Sequence, residues 1–454
     1  MKSSDNKPPL LYMATFGCQM NEYDSNRIVN ILAGRGYETT THLEEADFIF
    51  LNTCSIRDKA EQKVYSFLGR LRPLKAQNPY LLIGVGGCVA QQEGRELLAR
   101  VPYLDMVLGT HAISKLPELL DEVMSTGRTV CHTDFDYNLA RPPKPRHQTD
   151  RVMAFLTIMQ GCNNFCSYCV VPYVRGREIS RSPEDILAEA QDLLESGVKE
   201  ITLLGQNVNS YGRGLEPAVS FPDLIERISR LDGLKRLRFT TSHPKDLSPR
   251  LAQAWSNIES MCEHVHLPVQ SGSNRILRAM GRGYTREDYL GKIDLLRGAC
   301  PEIAITTDII VGFPGETEED FIETMSLASQ VRYDGMYSFK YSDRPGTKAT
   351  RLGGKVDEAV KGRRLAELQE LQKQMTMESH RRLLGRRVEV LVEGRGRRYS
   401  RQLTGRTRNN KIVNFEGGEE LIGKLVEPAI VEAWGNSLLG VLSGGGPDSD
   451  GHPE

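Results

Sequence analysis

Met159-Gln-Gly-Cys-Asn-Asn-Phe-Cys-Ser-Tyr-Cys-Val-Val-Pro172 sets three cysteines, Cys162, Cys166 and Cys169, at C-x3-C-x2-C spacing. They follow an apolar run, Ala154 to Met159, that reads as a strand. Three thiolates on one short loop can hold three corners of a cubane iron–sulfur cluster, whereas a fully protein-bound four-iron cluster takes four cysteines. Three ligands leave one iron open, and an open metal position signals chemistry rather than structure. Zinc is the alternative. It wants a fourth ligand at zinc-finger spacing, and no Cys or His follows soon after Cys169.

Outward from this loop, residues 151–384 alternate strand and helix about six times. Ser182-Pro183-Glu184-Asp185 opens a helix with an N-cap, a first-turn proline and a capping acid. The further strands are read at Glu200 to Leu204, Arg236 to Thr241, His264 to Val269, Ile303 to Val311 and Met336 to Tyr341. Six units predict a partial, TIM-like (βα)6 barrel, whose chemistry belongs at the carboxyl ends of its strands. Gln206, Asn207, Ser242, His266 and Gln270 fall on that rim with the cysteine loop. They are candidate cofactor-binding residues, although Ser and Asn are also ordinary turn residues. Arg175, Arg177 and Arg181 follow the cysteines and either pair with the carboxylate of a molecule bound at the open iron or face solvent.

Upstream, residues 10–126 read as a doubly wound α/β domain with a parallel sheet. One cysteine lies just beyond each of its first three strands: Cys18, Cys54 and Cys88. Ligands bind in the crevice at that edge of such sheets, so the three can converge on a second cluster with one open iron. Unrelated buried thiols are the bland reading. Residues 1–9 are a polar, flexible start. The stretch 127–150 is a linker around Arg141-Pro-Pro-Lys-Pro-Arg146. Cys131, Cys262 and Cys300 are read as structural.

Downstream, residues 385–443 change to short strands punctuated by glycine, which predicts a small all-β barrel, and 444–454 form a disordered tail. From Arg381 to Lys411 there are eleven Lys or Arg residues against two acids, Glu389 and Glu393. A surplus like this attracts backbone phosphates, although a solvated charged face is the plainer reading. Arg387, Arg398, Arg401, Arg406, Arg408 and Lys411 are the RNA-contact candidates. Tyr399 and Phe415 either stack on bases or fill the core.

The whole chain has 454 residues, with 58 Lys and Arg against 59 Asp and Glu, so any nucleic-acid role must come from a local patch. No apolar run approaches the roughly 18 residues of a membrane span. Nine cysteines over this length are no disulfide framework, and a reducing, cytoplasmic compartment is expected.

The cysteine loop, with Tyr168 before its last Cys, is similar to that of the radical S-adenosylmethionine (SAM) enzymes, in which the open iron is chelated by SAM; Tyr168 joins the cofactor-binding candidates on this ground. Longer stretches narrow the resemblance: Thr15-Phe-Gly-Cys-Gln-Met-Asn-Glu-Tyr-Asp-Ser25, Leu51-Asn-Thr-Cys-Ser-Ile-Arg57, Gly161 to Glu178, His266-Leu-Pro-Val-Gln-Ser-Gly-Ser273 and Gly405 to Phe415. From residue 10 to 442 the chain resembles the bacterial methylthiotransferases, and Gln19-Met-Asn21 and Pro172 to Arg177 place it nearest their tRNA-modifying branch. The resemblance implies an N-terminal methylthiotransferase domain, a radical SAM barrel and a C-terminal TRAM module. It implies two [4Fe-4S] clusters, one on Cys18, Cys54 and Cys88 and one on Cys162, Cys166 and Cys169. It implies methylthiolation at C2 of N(6)-isopentenyladenosine beside the tRNA anticodon. Two SAM are used, one as methyl donor and one as source of a 5′-deoxyadenosyl radical. A flavodoxin- or ferredoxin-type electron donor, a sulfur source and a monomeric state complete the expectation. The alternatives are threonylcarbamoyladenosine in tRNA or a ribosomal-protein aspartate as substrate, and a non-catalytic iron–sulfur RNA-binding redox sensor.

Overall fold

The computed structural model describes residues 7–55, 58–136, 151–396 and 401–442. The first module is a six-stranded, wholly parallel sheet. Its strands are β1 (Leu10–Thr15), β2 (Glu38–Thr39), β3 (Phe48–Thr53), β4 (Leu82–Gly87), β5 (Met106–Leu108) and β6 (Val130–His132), in the order β2-β1-β3-β4-β5-β6. Every residue of β3 is buried, as an apolar run between two helical layers requires. Ile49 and Leu51 pack with Val64, Leu68 and Leu71 on one face, and Phe48 and Phe50 with Ile28 and Leu32 on the other. The sheet runs past residue 126, because β6 lies inside the stretch read as linker. Its strand Val130–His132 pairs with β5 and holds Cys131 beside Val107. The expected linker core, 137–150, lies outside the described residues.

The central module is the expected partial barrel. β7 (Met153–Thr157) leads through β8 (Met159–Gln160) into the cysteine loop, which β9 (Ile179–Ser180) closes by pairing antiparallel with β8. The remaining strands are β10 (Glu200–Leu204), β11 (Arg236–Phe239), β12 (His264–His266), β13 (Ala304–Val311) and β14 (Gly335–Lys340). β7, β10 and β11 form one parallel triplet and β12, β13 and β14 another. A bridge from Leu237 to Met261 joins them. The outer face of the strands packs on helices in one large core containing Leu156, Ile201, Leu203, Leu237, Val265 and Ile305. Ser182 caps its helix as read, accepting from the Asp185 N–H.

A long helix, Glu358–Arg381, leads to the third module: β15 (Val390–Arg395), β16 (Gln402–Thr407), β17 (Ile412–Glu416), β18 (Leu425–Val426), β19 (Ala429–Ala433) and β20 (Leu438–Val441). They form one sheet in the order β18-β15-β16-β17-β20-β19 around Val390, Val392, Leu403, Val413 and Phe415. Phe415 is therefore core. The sequence reading has no counterpart of β16, whose Gly405 lies mid-strand. A Cβ there would fall 2.3 Å from the Leu391 carbonyl oxygen.

The modules are locked together by buried polar contacts. Tyr23 of the first module donates to Glu189 Oε1 at 3.0 Å, and Arg181 Nη1 donates to the Tyr23 hydroxyl at 3.3 Å and to the Thr157 carbonyl at 2.6 Å. Arg181 Nη2 also pairs with Glu189 at 2.6 Å. Tyr23→Phe deletes the hydroxyl and leaves Glu189 with one acceptor unmet. We expect a loss of about 1–3 kcal/mol, measured by urea unfolding at unchanged m-value.

Candidate active site

Cys18, Cys54 and Cys88 lie immediately after β1, β3 and β4. The strand order turns back between β1 and β3, which is where open α/β sheets receive ligands. Gly17 makes the meeting of these loops possible. At φ +127° it is in the region open to glycine, and a Cβ there would sit 2.3 Å from Cys54 Cβ. Cys18 is the N-cap of the helix Gln19–Ala33, where a negative charge is favoured. A hydrogen bond from Cys54 and the charge of Arg175 hold the Cys18 thiol down, to about 6, against burial. Burial pushes the Cys88 thiol up, and Arg175 opposes it.

That arginine comes from the barrel, just after the short helix Val171–Val174. It is buried, and Nη2 donates to Asn21 Oδ1 at 3.0 Å and to Asp24 Oδ2 at 2.9 Å. Nη1 is buried without a hydrogen-bond partner, with Cys88 and Cys18 among its nearest charges. A buried guanidinium charge acting on the Cys18 and Cys88 thiols fits a thiolate-held cluster. Arg181 is engaged in the Tyr23 network, and Arg177 is exposed. Arg175 and Arg181 thus neither face solvent nor reach toward the second cysteine loop.

In that loop Cys166 is buried and Cys162 and Cys169 are half-buried. The Cys169 N–H donates to the Cys166 carbonyl at 3.0 Å, and Phe165 turns the chain with φ +46°. Ser167 ties the loop to the end of the helix Asn274–Met280 through its N–H, to Met280 O, and its hydroxyl, to Ala279 O, each at 2.9 Å. Burial and the neighbouring thiols push Cys169 up to about 12. Arg282, absent from the sequence reading, is buried behind the loop. Its Nη1 donates to Cys166 Sγ at 3.4 Å and to the Tyr168 hydroxyl at 3.5 Å, and its Nη2 to the Pro268 carbonyl at 2.7 Å. Each set therefore carries three thiols and one buried guanidinium, a donor set suited to an anionic iron–sulfur cluster. Among the described residues, no group of three Cys, His, Asp or Glu side chains converges as the ligands of one metal ion do.

A cavity of about 1220 Å³ occupies the concave face of the barrel, more than the roughly 300–1,000 Å³ of a single-ligand pocket. All three modules line it: Cys18 and Glu22 from the first, His266 and Asp308 from the barrel, and Glu393 and Arg406 from the third. His266 sits on its wall, with Nδ1 3.0 Å from Thr306 Oγ1 and Nε2 3.5 Å from Asp308 Oδ2, and Tyr337 stands edge-on to it. The other rim candidates lie off the wall. Gln206 Oε1 accepts from the Gly161 N–H at 2.5 Å, so it fixes the start of the cysteine loop. Asn207 Nδ2 donates to Asp246 at 2.7 Å, leaving Oδ1 buried and unmet. The Ser242 hydroxyl donates to the His266 carbonyl. Gln270 is buried at φ +75° and its backbone bridges to β13. Tyr168 packs beside Ile276, Met280, Phe313 and Tyr341.

The basic run divides. Arg387 and Arg401 are exposed, and Arg398 lies outside the described residues. Arg406 pairs with Glu393 at 3.1 Å, Arg408 with Glu263 at 2.8 Å and Lys411 with Asp334 at 2.8 Å. The last two turn toward the barrel, because carboxylates stand there to receive them.

Three thiols beside a parallel-sheet crevice, three more on the first loop of a six-stranded half-barrel, and a small β module define a radical SAM enzyme of the methylthiotransferase class. The Radical SAM superfamily matches residues 156–328, the Uncharacterized protein family UPF0004 residues 10–109 and the TRAM domain residues 381–442. The tRNA-2-methylthio-N(6)-dimethylallyladenosine synthase of Syntrophobacter fumaroxidans is 52% identical over 437 residues, 96% of each chain. That of Geobacter metallireducens is 52% identical over 436 residues, 96% of this chain and 98% of its own. The chain belongs to the family of the tRNA-2-methylthio-N(6)-dimethylallyladenosine synthases. In fold it is similar to the radical SAM methyltransferase TsrM from Kitasatospora setae, at TM-score 0.54 and 15% identity over 72% of each chain. It is also similar to the cobalamin-dependent radical enzyme OxsB, at TM-score 0.52 and 13% identity over 81% of this chain and 56% of that one.

Asp308 was within reach of sequence reasoning, as an acid in the otherwise apolar or hydroxylated run Ala304 to Val311. Arg282 had only its place between Gly281 and Gly283 as a signal. The opposed thiol shifts give a test on iron-free protein. At pH 7, iodoacetamide should label Cys18 well before Cys169, and Arg175→Met should slow Cys18 labelling, as read by peptide mass spectrometry.

Proposed function

We propose that this chain places a methylthio group on C2 of N(6)-dimethylallyladenosine beside the anticodon of tRNA. We assign it two [4Fe-4S] clusters, one held by Cys162, Cys166 and Cys169 and one by Cys18, Cys54 and Cys88. The observation that carries this reading is the pair of three-thiol sets, each with its own buried arginine, Arg175 and Arg282, the first set reaching the barrel cavity through Cys18. The clusters with SAM supply a carbon-centred radical, a sulfur atom and a methyl group. The chain's own residues orient and shield. Arg282 offers its guanidinium N–H to Cys166, which offsets the charge of a cluster ligand. Arg175 brings a buried positive charge to Cys18 and Cys88 of the other set while binding Asp24. His266 and Asp308 present a donor and an acceptor to a purine edge on the cavity wall, and Tyr337, more than half exposed, gives a face for stacking. Arg387 and Arg401, both exposed, lie where tRNA phosphates would meet the third module.

An external low-potential electron donor and a sulfur source complete the assignment, with a monomer in the reducing cytoplasm. Among the described residues no helix is long and apolar enough to cross a membrane. The test is anaerobic reconstitution with SAM, reductant and dimethylallylated tRNA, read by nucleoside mass spectrometry. The 2-methylthio-N(6)-dimethylallyladenosine nucleoside is expected. Cys18→Ala should abolish it and still yield 5′-deoxyadenosine, and replacing Cys18, Cys54 and Cys88 together by Ala should halve the bound iron. Methylthio transfer surviving in Cys18→Ala would overturn the role given to the first set.

A further inference from the structure

The turn between β16 and β17 is built into the barrel. Arg408 reaches the carbonyls of Glu259 and Met261, each at 2.8 Å, besides the Glu263 carboxylate. Asn409 Nδ2 donates to the Glu302 carbonyl at 2.7 Å, and Lys411 Nζ to Asp334 Oδ1 and Ser379 Oγ, each at 2.8 Å. Coming the other way, Arg238 donates to the Thr407 and Arg408 carbonyls at 2.8 and 2.7 Å, and Arg236 to the Arg406 carbonyl at 2.6 Å. Glu263, Glu302 and Asp334 directly precede β12, β13 and β14 or stand one residue further upstream, Arg236 opens β11, and Arg238 holds Glu200 at the start of β10. A single turn thus meets the amino ends of four of the six parallel barrel strands and reaches a fifth, β10, through Arg238.

The chemistry of that end makes the contact obligatory. The interior of a βα-barrel is normally filled by layers of branched apolar side chains. Here the lowest layer is Glu200, Arg236, Arg238 and His264, all buried. Buried charges persist only where partners surround them. The turn's three carbonyls and the Glu389 carboxylate, 2.8 Å from Arg236, are those partners. Directly above lies the cavity, whose wall includes Arg406 and Asn410 of the same turn as well as Arg238 and His264.

We propose that the Arg406–Lys411 turn is the floor of the reaction cavity, closing the amino end of the half-barrel, so that the C-terminal module positions and shields the radical step as well as meeting RNA. Arg408 and Asn409 act through the barrel strands and are positioning residues. This rests on the function proposed above, and the experiment separates the two. Holoenzyme carrying Arg408→Ala with Asn409→Ala is compared with wild type in D2O. Three quantities are read: 5′-deoxyadenosine formed per methylthio product, deuterium in that 5′-deoxyadenosine, and amide exchange in Glu200–Leu204 and Arg236–Phe239.

With an open floor, the deoxyadenosine-to-product ratio rises about fivefold or more, the radical takes deuterium from the exchanged S–D of a thiol reductant in the assay and leaves a thiyl radical there, and both strands exchange faster, while tRNA affinity changes less than twofold. Unchanged ratio and exchange with weakened tRNA binding would overturn the proposal and return these residues to RNA contact. Should the double variant not fold, Glu263→Gln keeps the shape while weakening the Arg408 pair, and must shift the same readouts in the same direction. If wild type makes no methylthio product, the functional reading fails, whereas strand exchange still decides whether the turn seals the barrel.

Discussion

The frame of the molecule turns on a guanidinium in the wrong module. Arg175 belongs to the barrel by sequence and to the N-terminal sheet by contact, with both nitrogens of its fork buried against Asn21, Asp24, Cys18 and Cys88. Desolvating a guanidinium costs several kcal/mol unless it is paired, so the first module cannot drift from the second without exposing an unpaired carboxylate and arginine. Only five residues separate Cys169 from Arg175. The loop that holds one set of thiols is thereby measured against the other, and the Tyr23–Arg181–Glu189 network repeats the lock nearby.

The barrel shows the complementary strategy. Its outer face is ordinary, with Leu203, Leu237, Val265 and Ile305 packed on helices. Its inner face alternates with them and is polar nearly throughout: Glu200 and Thr202, Arg236 and Arg238, His264 and His266, Thr306 and Asp308. An interior of this kind does not collapse on itself, which leaves room for ligands, but it has to be satisfied from outside the barrel. The N-terminal helix Gln19–Ala33 covers one side of it, and the turn after β16 covers the base.

Much of this was legible in the chain. Apolar runs located all six parallel strands of the barrel, and the recurrence of cysteine after three strands of the first sheet grouped residues that lie far apart in sequence. The strand around Cys131 was legible, but the proline-rich stretch that follows it put β6 in the linker, and β16 is hidden by a mid-strand glycine that reads as a turn until the Leu391 carbonyl is seen beneath it. The basic run was counted correctly, but a count of charges says nothing about who receives them. Glu263 and Asp334 lie 145 and 77 residues from Arg408 and Lys411, and no local pattern connects them. Arg282 and Arg175 were obscure for the same reason. An arginine's partner is fixed by tertiary distance, not by the residues beside it.

Because the cavity takes its base from the β16–β17 turn, its geometry is incomplete until nearly the last stretch of chain has been made. During synthesis the cysteines of both sets leave the ribosome first, on a barrel that is still open below. The walls meet only when residues around Arg408 emerge. A nascent or C-terminally truncated chain therefore carries its reactive centres without their enclosure, and the order of the modules along the gene delays the finished chamber until the part that meets RNA is also present.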